Sequence, residues 1–359
     1  MGIFRISRIS TKTKYLVIIF LLIAVSTVYL FQPWKQRNLN YRQCLIDRYS
    51  VNDTGATKLP DILDDPRKPR PGKSIFFHET ACSETGLLKL TSRQACAIES
   101  AALTNPDSDV FVLFVSPTYR AVNLDSNVSL SLSSYTNIFF RNVNLWKYAE
   151  NTPIEEWFLG GKLFQSDYVI SHTSDFLRYL TLWRWGGTYL DLDVIVKERL
   201  ETIPPNYAGA ESENYIAAGV INMDHKGFGH RIADLCLKNF YKEFRGDDWG
   251  HNGPGVITRV MKRDICKVTK TQHMSLERCN HFKVYPKEAF YAINWWNAHY
   301  FFEERFTVKT MNATQNSIVI HVWNNVSKDR RLKVGAKAAY GLYAEKFCPK
   351  VYSSCGEYF

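Results

Sequence analysis

Hydrophobic positions along this chain follow two periods, that of a buried strand and that of a helix. Val110-Phe-Val-Leu-Phe-Val115 is an unbroken apolar run, as a strand covered on both faces requires. Ser74–Phe77 and Ile138–Phe140 are shorter candidate strands. Between them, Ala95, Ile98, Ala102 and Leu103 share one side of a helix predicted over Ser92–Leu103. Pro153 is placed to open a further helix through Trp157. Phe176, Tyr179, Leu180 and Trp183 recur at i, i+3, i+4 and i+7, the apolar stripe of a longer helix. Asp175 and Arg178 share a face of its first turn, away from that stripe. Gly186-Gly187 ends the helix, because glycine takes positive φ at little cost, and β-prone Thr188-Tyr189-Leu190 follows. Ala208–Glu211 and Ala217–Asn222 read as a pair of short strands, Gly229–Phe244 as an amphipathic helix, and Ile318–Asn324 as a late strand. This alternation predicts an α/β domain with a mainly parallel sheet, which binds ligands at the carboxyl ends of its strands.

Candidate chemistry concentrates at one such end. In an extended strand, residues i and i+2 point the same way, so Asp191 and Asp193 present two carboxylates to one side. Such a pair can hold a hard divalent cation and leave positions open for phosphate oxygens. Asp107-Ser108-Asp109 has the same spacing but precedes its strand, and reads as a solvated turn. In Trp249-Gly-His-Asn-Gly-Pro254, two glycines permit close approach to a ligand, and Pro254 opens a helix through Met261. His251 and Asn252 are candidates to touch a donor or an attacking hydroxyl; the competing reading is a rigid loop. Neighbouring Asp247-Asp248 is either an acceptor-orienting pair or plain surface. Aromatics are dense from Phe282 to Phe306, which suits both a core and a sugar groove.

The run from Ser174 to Asp193 resembles the DxD region of the sugar transferases that include yeast-type initiating mannosyltransferases and large clostridial toxins. Ser74-Ile-Phe-Phe-His-Glu-Thr80, Trp249–Pro254 and His321-Val-Trp-Asn324 narrow this to resemblance with α-1,4-glycosyltransferases of the globotriaosylceramide synthase type. The resemblance implies a GT-A-like, Rossmann-like fold and a retaining transfer from a UDP-sugar. It further implies Mn²⁺ or another divalent cation on Asp191, Asp193 and His321. Arg178 and Asn252 then join Asp191 and Asp193 in catalysis, and Asp175, Arg178, Tyr189, His78, Glu79, Asn222, His251 and Trp323 bind substrate. The donor is expected to be UDP-Gal or UDP-GalNAc, and the acceptor a glycosphingolipid. Asn252 and His78 depart from the vertebrate galactosyltransferases, which carry Gln and Leu there, so the donor sugar stays open. An α-1,4-N-acetylglucosaminyltransferase or mannosyltransferase acting on glycoproteins is the alternative, and a non-catalytic membrane lectin is another.

Composition adds a compartment. Residues 15–31 are uncharged and apolar and span roughly 26 Å as a helix, enough for a thin bilayer. They are read as a signal-anchor rather than a cleaved signal peptide, since the apolar run continues past Ala24-Val25-Ser26. Sequons at Asn52, Asn127, Asn312 and Asn325, and all eight cysteines, follow that stretch, as suits an oxidising lumen. Among the cysteines, Cys266–Cys279 is an attractive local pair. The expected layout is a cytosolic tail at 1–14, the anchor, a proline-rich stem at 32–72 and a luminal catalytic domain at 73–359, in a type II protein of the Golgi membrane. A net charge of +10 is dispersed along the chain, which disfavours nucleic acid as a partner.

Overall fold

The computed structural model describes residues 12, 16–20, 36–46, 55–83, 85–121 and 127–359, and its centre is a seven-stranded sheet. In chain order the strands are β1 (Ile75–Glu79), β2 (Val110–Phe114), β3 (Ile138–Asn142), β4 (Gly187–Leu190), β5 (Tyr207–Ala210), β6 (Ile216–Met223) and β7 (Lys283–Tyr285). Across the sheet they lie β7-β5-β6-β4-β1-β2-β3. All run one way except β6, which is antiparallel to both neighbours. The α/β class stands and the sheet is mainly parallel, mixed only by β6. The cause is local. Only residues 211–215 separate β5 from β6, and a connection that short joins antiparallel strands.

Both faces of the sheet are covered. Ile75, Phe77, Val110, Val112 and Phe114 enter one core with Ala95, Ile98 and Ala102 of helix Ser92–Thr104. Phe76, Phe111 and Leu113 enter the other with Phe176, Tyr179 and Leu180 of helix Val169–Trp185. The period-2 alternation thus sends apolar side chains both ways. Thr91 and Gln94 form a capping box that fixes the start of the first helix. The second ends where Gly186 and Gly187 take φ of 62° and 82°, letting the backbone of β4 lie directly on Ser74.

Several elements differ from expectation. The helix after Pro153 is only Glu155–Leu159, with the proline in the turn before it. Helix Val169–Trp185 starts well before its apolar stripe, so Asp175 and Arg178 sit beyond the first turn. Both are buried. The helix opened by Pro254 runs to Arg259 and continues as a π-helical turn, Val260–Ile265. Asp109 is not solvated: it is buried and accepts from Arg67 (2.8 Å) and Arg70 (2.7 Å), leaving only Asp107 exposed.

The segment read as an extended stem folds onto the domain over much of its length. Residues 36–45 are helical and bury Asn38, Tyr41, Cys44 and Leu45. Tyr41 donates its hydroxyl to the Thr80 carbonyl (2.8 Å), Asn38 donates to the Ser166 carbonyl (2.8 Å), and Cys44 is bonded to Cys82. Cys96–Cys348 and Cys266–Cys279 are the other disulfides; Cys236 and Cys355 are free thiols. Apart from 16–20, which are helical, the candidate anchor lies outside the described residues. Among those described, no helix is long and apolar enough to cross a membrane. Asn52 also lies outside them, while Asn127, Asn312 and Asn325 are exposed.

Candidate active site

The geometry of the site follows from where β4 stops. The strand ends at Leu190, beside the carboxyl half of β1, and Asp191–Asp193 form a turn before a second short strand, Val194–Val196. The two aspartates therefore converge through a turn and not through strand alternation. Val194–Val196 pairs antiparallel with Val319–His321, and the register sets His321 opposite Val194. Asp191 N–H donates to Gly219 of β6 (2.9 Å), and Asp193 accepts from Asn324 N–H (2.6 Å). One atom each of Asp191, Asp193 and His321 then lie within 4.8 Å of one another. His321 Nε2 is 3.4 Å from Asp191 Oδ2 and 3.3 Å from Asp193 Oδ1. Gly219 closes the other side, where a Cβ would stand 2.7 Å from Asp191 Oδ2.

Arg178 ties this cluster to the helix behind it. Its guanidinium reaches Asp175 Oδ1 (3.1 Å) and Asp191 Oδ1 (3.0 Å) and lies over the Tyr189 ring, whose hydroxyl donates to Asp191 Oδ1 (2.7 Å). Burial opposes the Asp191 charge, yet Arg178, with His321 and Tyr189, holds that carboxyl well below the usual carboxylate range. Asp175 shares the same guanidinium but is deeply buried, and burial pushes it up to about 7. Burial likewise raises Asp193, and the facing carboxylates raise His321 although its own burial would lower it. Asp191 and Asp193 converge on His321 with the Arg178 guanidinium as the one permanent cation beside them, an arrangement that a further cation would stabilise. Two carboxylates and one imidazole form a donor set that suits Mn²⁺ better than Mg²⁺. The residues present fit the ion.

The sequence around this geometry has known relatives. The chain is 30% identical over 297 residues to the lactosylceramide 4-alpha-galactosyltransferase of Mus musculus, covering 82% of this chain and 79% of that one. The chain belongs to the α-1,4-glycosyltransferase family. The family's conserved region matches residues 225–355, and a glycosyltransferase sugar-binding region containing a DXD motif matches 91–210, which includes Asp191 and Asp193. The Rattus norvegicus lactosylceramide 4-alpha-galactosyltransferase is 29% identical over 294 residues, covering 82% of this chain and 78% of its own. A human alpha-1,4-N-acetylglucosaminyltransferase is 26% identical over 265 residues, covering 72% and 74%.

Other candidates of this glycosyltransferase sit at varying remove from the cluster. His78 and Glu79 occupy the carboxyl end of β1. His78 is buried against the Tyr189 ring (4.8 Å) with Nε2 on Thr181 (3.2 Å), beneath the site. Glu79 accepts from Ala81 N–H (2.8 Å) and from Gln94. Trp323 lies tilted against His321 (ring centroids 4.3 Å apart) and donates its indole N–H to the Ile293 carbonyl. Asn222 is tied inside the sheet, accepting from Asn206 N–H (2.9 Å) and donating to Thr188 (2.8 Å), away from the cluster. Asn252 is fully buried; it accepts from Arg245 N–H (3.0 Å) and donates to the Arg245 carbonyl (2.5 Å), beside His172 (3.0 Å). His251 binds the Glu243 carbonyl (2.8 Å). In this structure these polar groups bind the chain itself: Asn252 and His251 hold the backbone of Arg245 and Glu243, and Asn222 holds Asn206 N–H and the Thr188 hydroxyl. Asp247 pairs with exposed Arg245, and Asp248 caps Gly250 N–H (3.2 Å). The loop does meet the site, through Gly253: a Cβ there would lie 2.8 Å from Asp175 Cγ.

Two residues went unassigned from sequence. Glu211 directly follows β5 and, with Tyr285, Tyr291, Asn294 and Trp296, lines a cavity of about 560 Å³. Tyr291 connects this cavity to the cluster, its ring 5.6 Å from that of His321. A charged residue closing a strand of small side chains was the available signal for Glu211. His172, one turn before Asp175, clamps Ser166 (2.6 Å) and the Asp248 carbonyl (3.2 Å), and no local pattern marks it. Of the aromatics between Phe282 and Phe306, Phe282, Phe290, Tyr291, Phe301 and Phe302 are core, whereas Trp295 and Trp296 are exposed.

Proposed function

We propose that this enzyme transfers galactose or N-acetylgalactosamine from a UDP-sugar, in α-1,4 linkage and with retention, to a galactose-type hydroxyl of a glycosphingolipid. The convergence of Asp191, Asp193 and His321 beside Arg178 carries this reading. Held by those three residues, a divalent cation supplies positive charge against the departing diphosphate. Arg178 adds a fixed, charge-assisted donor at the same place, and its position is set by two carboxylates before any ligand arrives. Asp175 accepts hydrogen bonds from donor-sugar hydroxyls. The cavity beside Tyr291 receives the acceptor sugar. Its apolar C–H faces pack on Tyr285 and Trp296, and Glu211 accepts from an acceptor hydroxyl. The chain acts as a type II protein of the Golgi membrane, where the acceptor lipid resides.

The human relative's name favours one second reading, transfer of N-acetylglucosamine, for which a glycoprotein acceptor is the alternative to a lipid. Full-length enzyme assayed with UDP-Gal, UDP-GalNAc, UDP-GlcNAc and GDP-mannose, on lactosyl-lipid and glycoprotein acceptors, with and without Mn²⁺, tests both. Mn²⁺-dependent transfer of galactose or N-acetylgalactosamine to the lipid is expected, and Asp193→Asn should lower it by about 10³-fold. Transfer of N-acetylglucosamine to protein would overturn the donor and acceptor. Absence of turnover together with no thermal shift from UDP and Mn²⁺ would overturn the transferase reading and count for a non-catalytic lectin.

A further inference from the structure

We infer that the carboxyl rim of the sheet, the rim that carries Asp191, lies directly on the lipid bilayer. The inference rests on reading residues 15–31 as the bilayer anchor and is independent of which sugar is transferred. Four residues, 32–35, separate that apolar run from the helix at 36–45. Whatever their path, the ends they join, at 31 and 36, lie at most about 18 Å apart. The helix they lead into is fixed to the catalytic domain through Tyr41, Asn38 and the Cys44–Cys82 disulfide. Its docking point is Thr80, the residue that follows β1, at the same end of the sheet as the aspartate turn. A domain tethered this closely has no room to stand off the membrane.

The surface around that docking point has the composition of a membrane interface. Leu39, Tyr168, Ile170 and Trp249 are 48%, 42%, 46% and 48% exposed. They are neighbours: Arg37 of the helix donates to the Asp167 carbonyl (2.8 Å), Thr80 donates to the Ile170 carbonyl (3.2 Å), and Trp249 donates to Ser171 (3.3 Å). Aromatic rings with one polar edge, beside exposed aliphatic side chains, settle at the headgroup boundary. Arg37 and Arg42 on the same helix offer guanidinium groups that can pair with lipid phosphates. A lipid acceptor embedded in that bilayer then presents its sugar at the level of the site, with no need to leave the membrane.

Depth-dependent quenching tests this. Full-length protein carrying Cys355→Ser is labelled with bimane at Ile170→Cys, at Tyr168→Cys or, as a control, at Val308→Cys on helix Thr307–Ala313, where Val308 is 74% exposed. Each is placed in phosphatidylcholine–phosphatidylserine nanodiscs containing headgroup-nitroxide lipid. Bimane at 170 and 168 should lose at least about half its emission, and bimane at 308 none. Equal emission at all three sites in disc-bound protein would overturn the inference, whether the patch faces water or a second copy of the chain. Failure of the chain to enter discs would overturn the anchor and the inference together, leaving the donor assays untouched.

Discussion

Gly219→Ala is the sharpest probe of the aspartate–histidine cluster, because it adds one methyl group at the centre of the site and nothing elsewhere. Gly219 lies within β6 and is not among the glycines of positive φ, so the backbone accepts alanine without strain. The added Cβ would stand 2.7 Å from Asp191 Oδ2 and 3.0 Å from both Nε2 and Cδ2 of His321. Ordinary contact begins at 3.4 Å, so the Asp191 carboxylate must retreat by about 0.7 Å and the imidazole by about 0.4 Å. A ligand set tolerates roughly 0.5 Å of misplacement before it loses function. Disturbances of this size around a metal site cost on the order of 10–100-fold in affinity. Mn²⁺ binding should weaken by that factor when free Mn²⁺ is followed by electron paramagnetic resonance at constant UDP, and kcat/KM should fall in proportion. The melting temperature of the metal-free protein should move by only a few degrees. Gly209→Ala supplies the contrast: its methyl meets the Phe290 and Tyr291 rings, so it should cost stability more than metal affinity. A Gly219→Ala enzyme with Mn²⁺ affinity and turnover within twofold of the parent would refute the cluster as a metal centre.

What the sequence disclosed depended on how local each interaction is. The helix, the glycine break and β4 are legible because their signals lie within the element itself: an i, i+3, i+4, i+7 stripe, two glycines, a β-prone triplet. The unbroken run at Val110–Phe114 likewise reported burial on both faces of the sheet. The place of His321 is set by the pairing of Val194–Val196 with Val319–His321, which brings it to Asp191 across 130 residues, and no window along the chain contains it; only family resemblance pointed there. At Asn252 and Asn222 polarity does not discriminate. An asparagine that satisfies buried backbone and one that awaits a ligand look the same in sequence, since both are polar residues among small or apolar neighbours. At the supposed stem the misleading feature was proline content, which describes 60–71 but not the helix at 36–45. Cys44, a lone cysteine in a spacer, was the sign that this segment is bonded to the domain.

Three further substitutions separate the roles assigned to the site. Arg178→Lys keeps the charge but cannot reach Asp175 and Asp191 at once, so kcat/KM in a UDP-release assay should drop by about 100-fold; a loss under threefold would deny the guanidinium its role. Asp175 has its carboxyl raised from 3.8 to about 7 by burial, so in an unfolded chain it ionises first. Its contribution to stability is complete below pH 4 and is lost as pH rises to about 7. Metal-free parent protein should therefore lose melting temperature relative to Asp175→Asn between pH 4 and 7, with a constant difference above; a parent that holds or gains melting temperature relative to the variant over that range would contradict the buried carboxyl. Asn252→Ala decides whether the glycine-rich loop acts by chemistry or by shape. Its amide satisfies both backbone groups of Arg245, and stripping buried partners of this kind costs about 2–3 kcal/mol. Unfolding by urea should register that loss, while turnover per folded molecule stays within about threefold, because Gly253 and not Asn252 faces Asp175. A variant of normal stability with turnover reduced 100-fold would instead return Asn252 to the reaction.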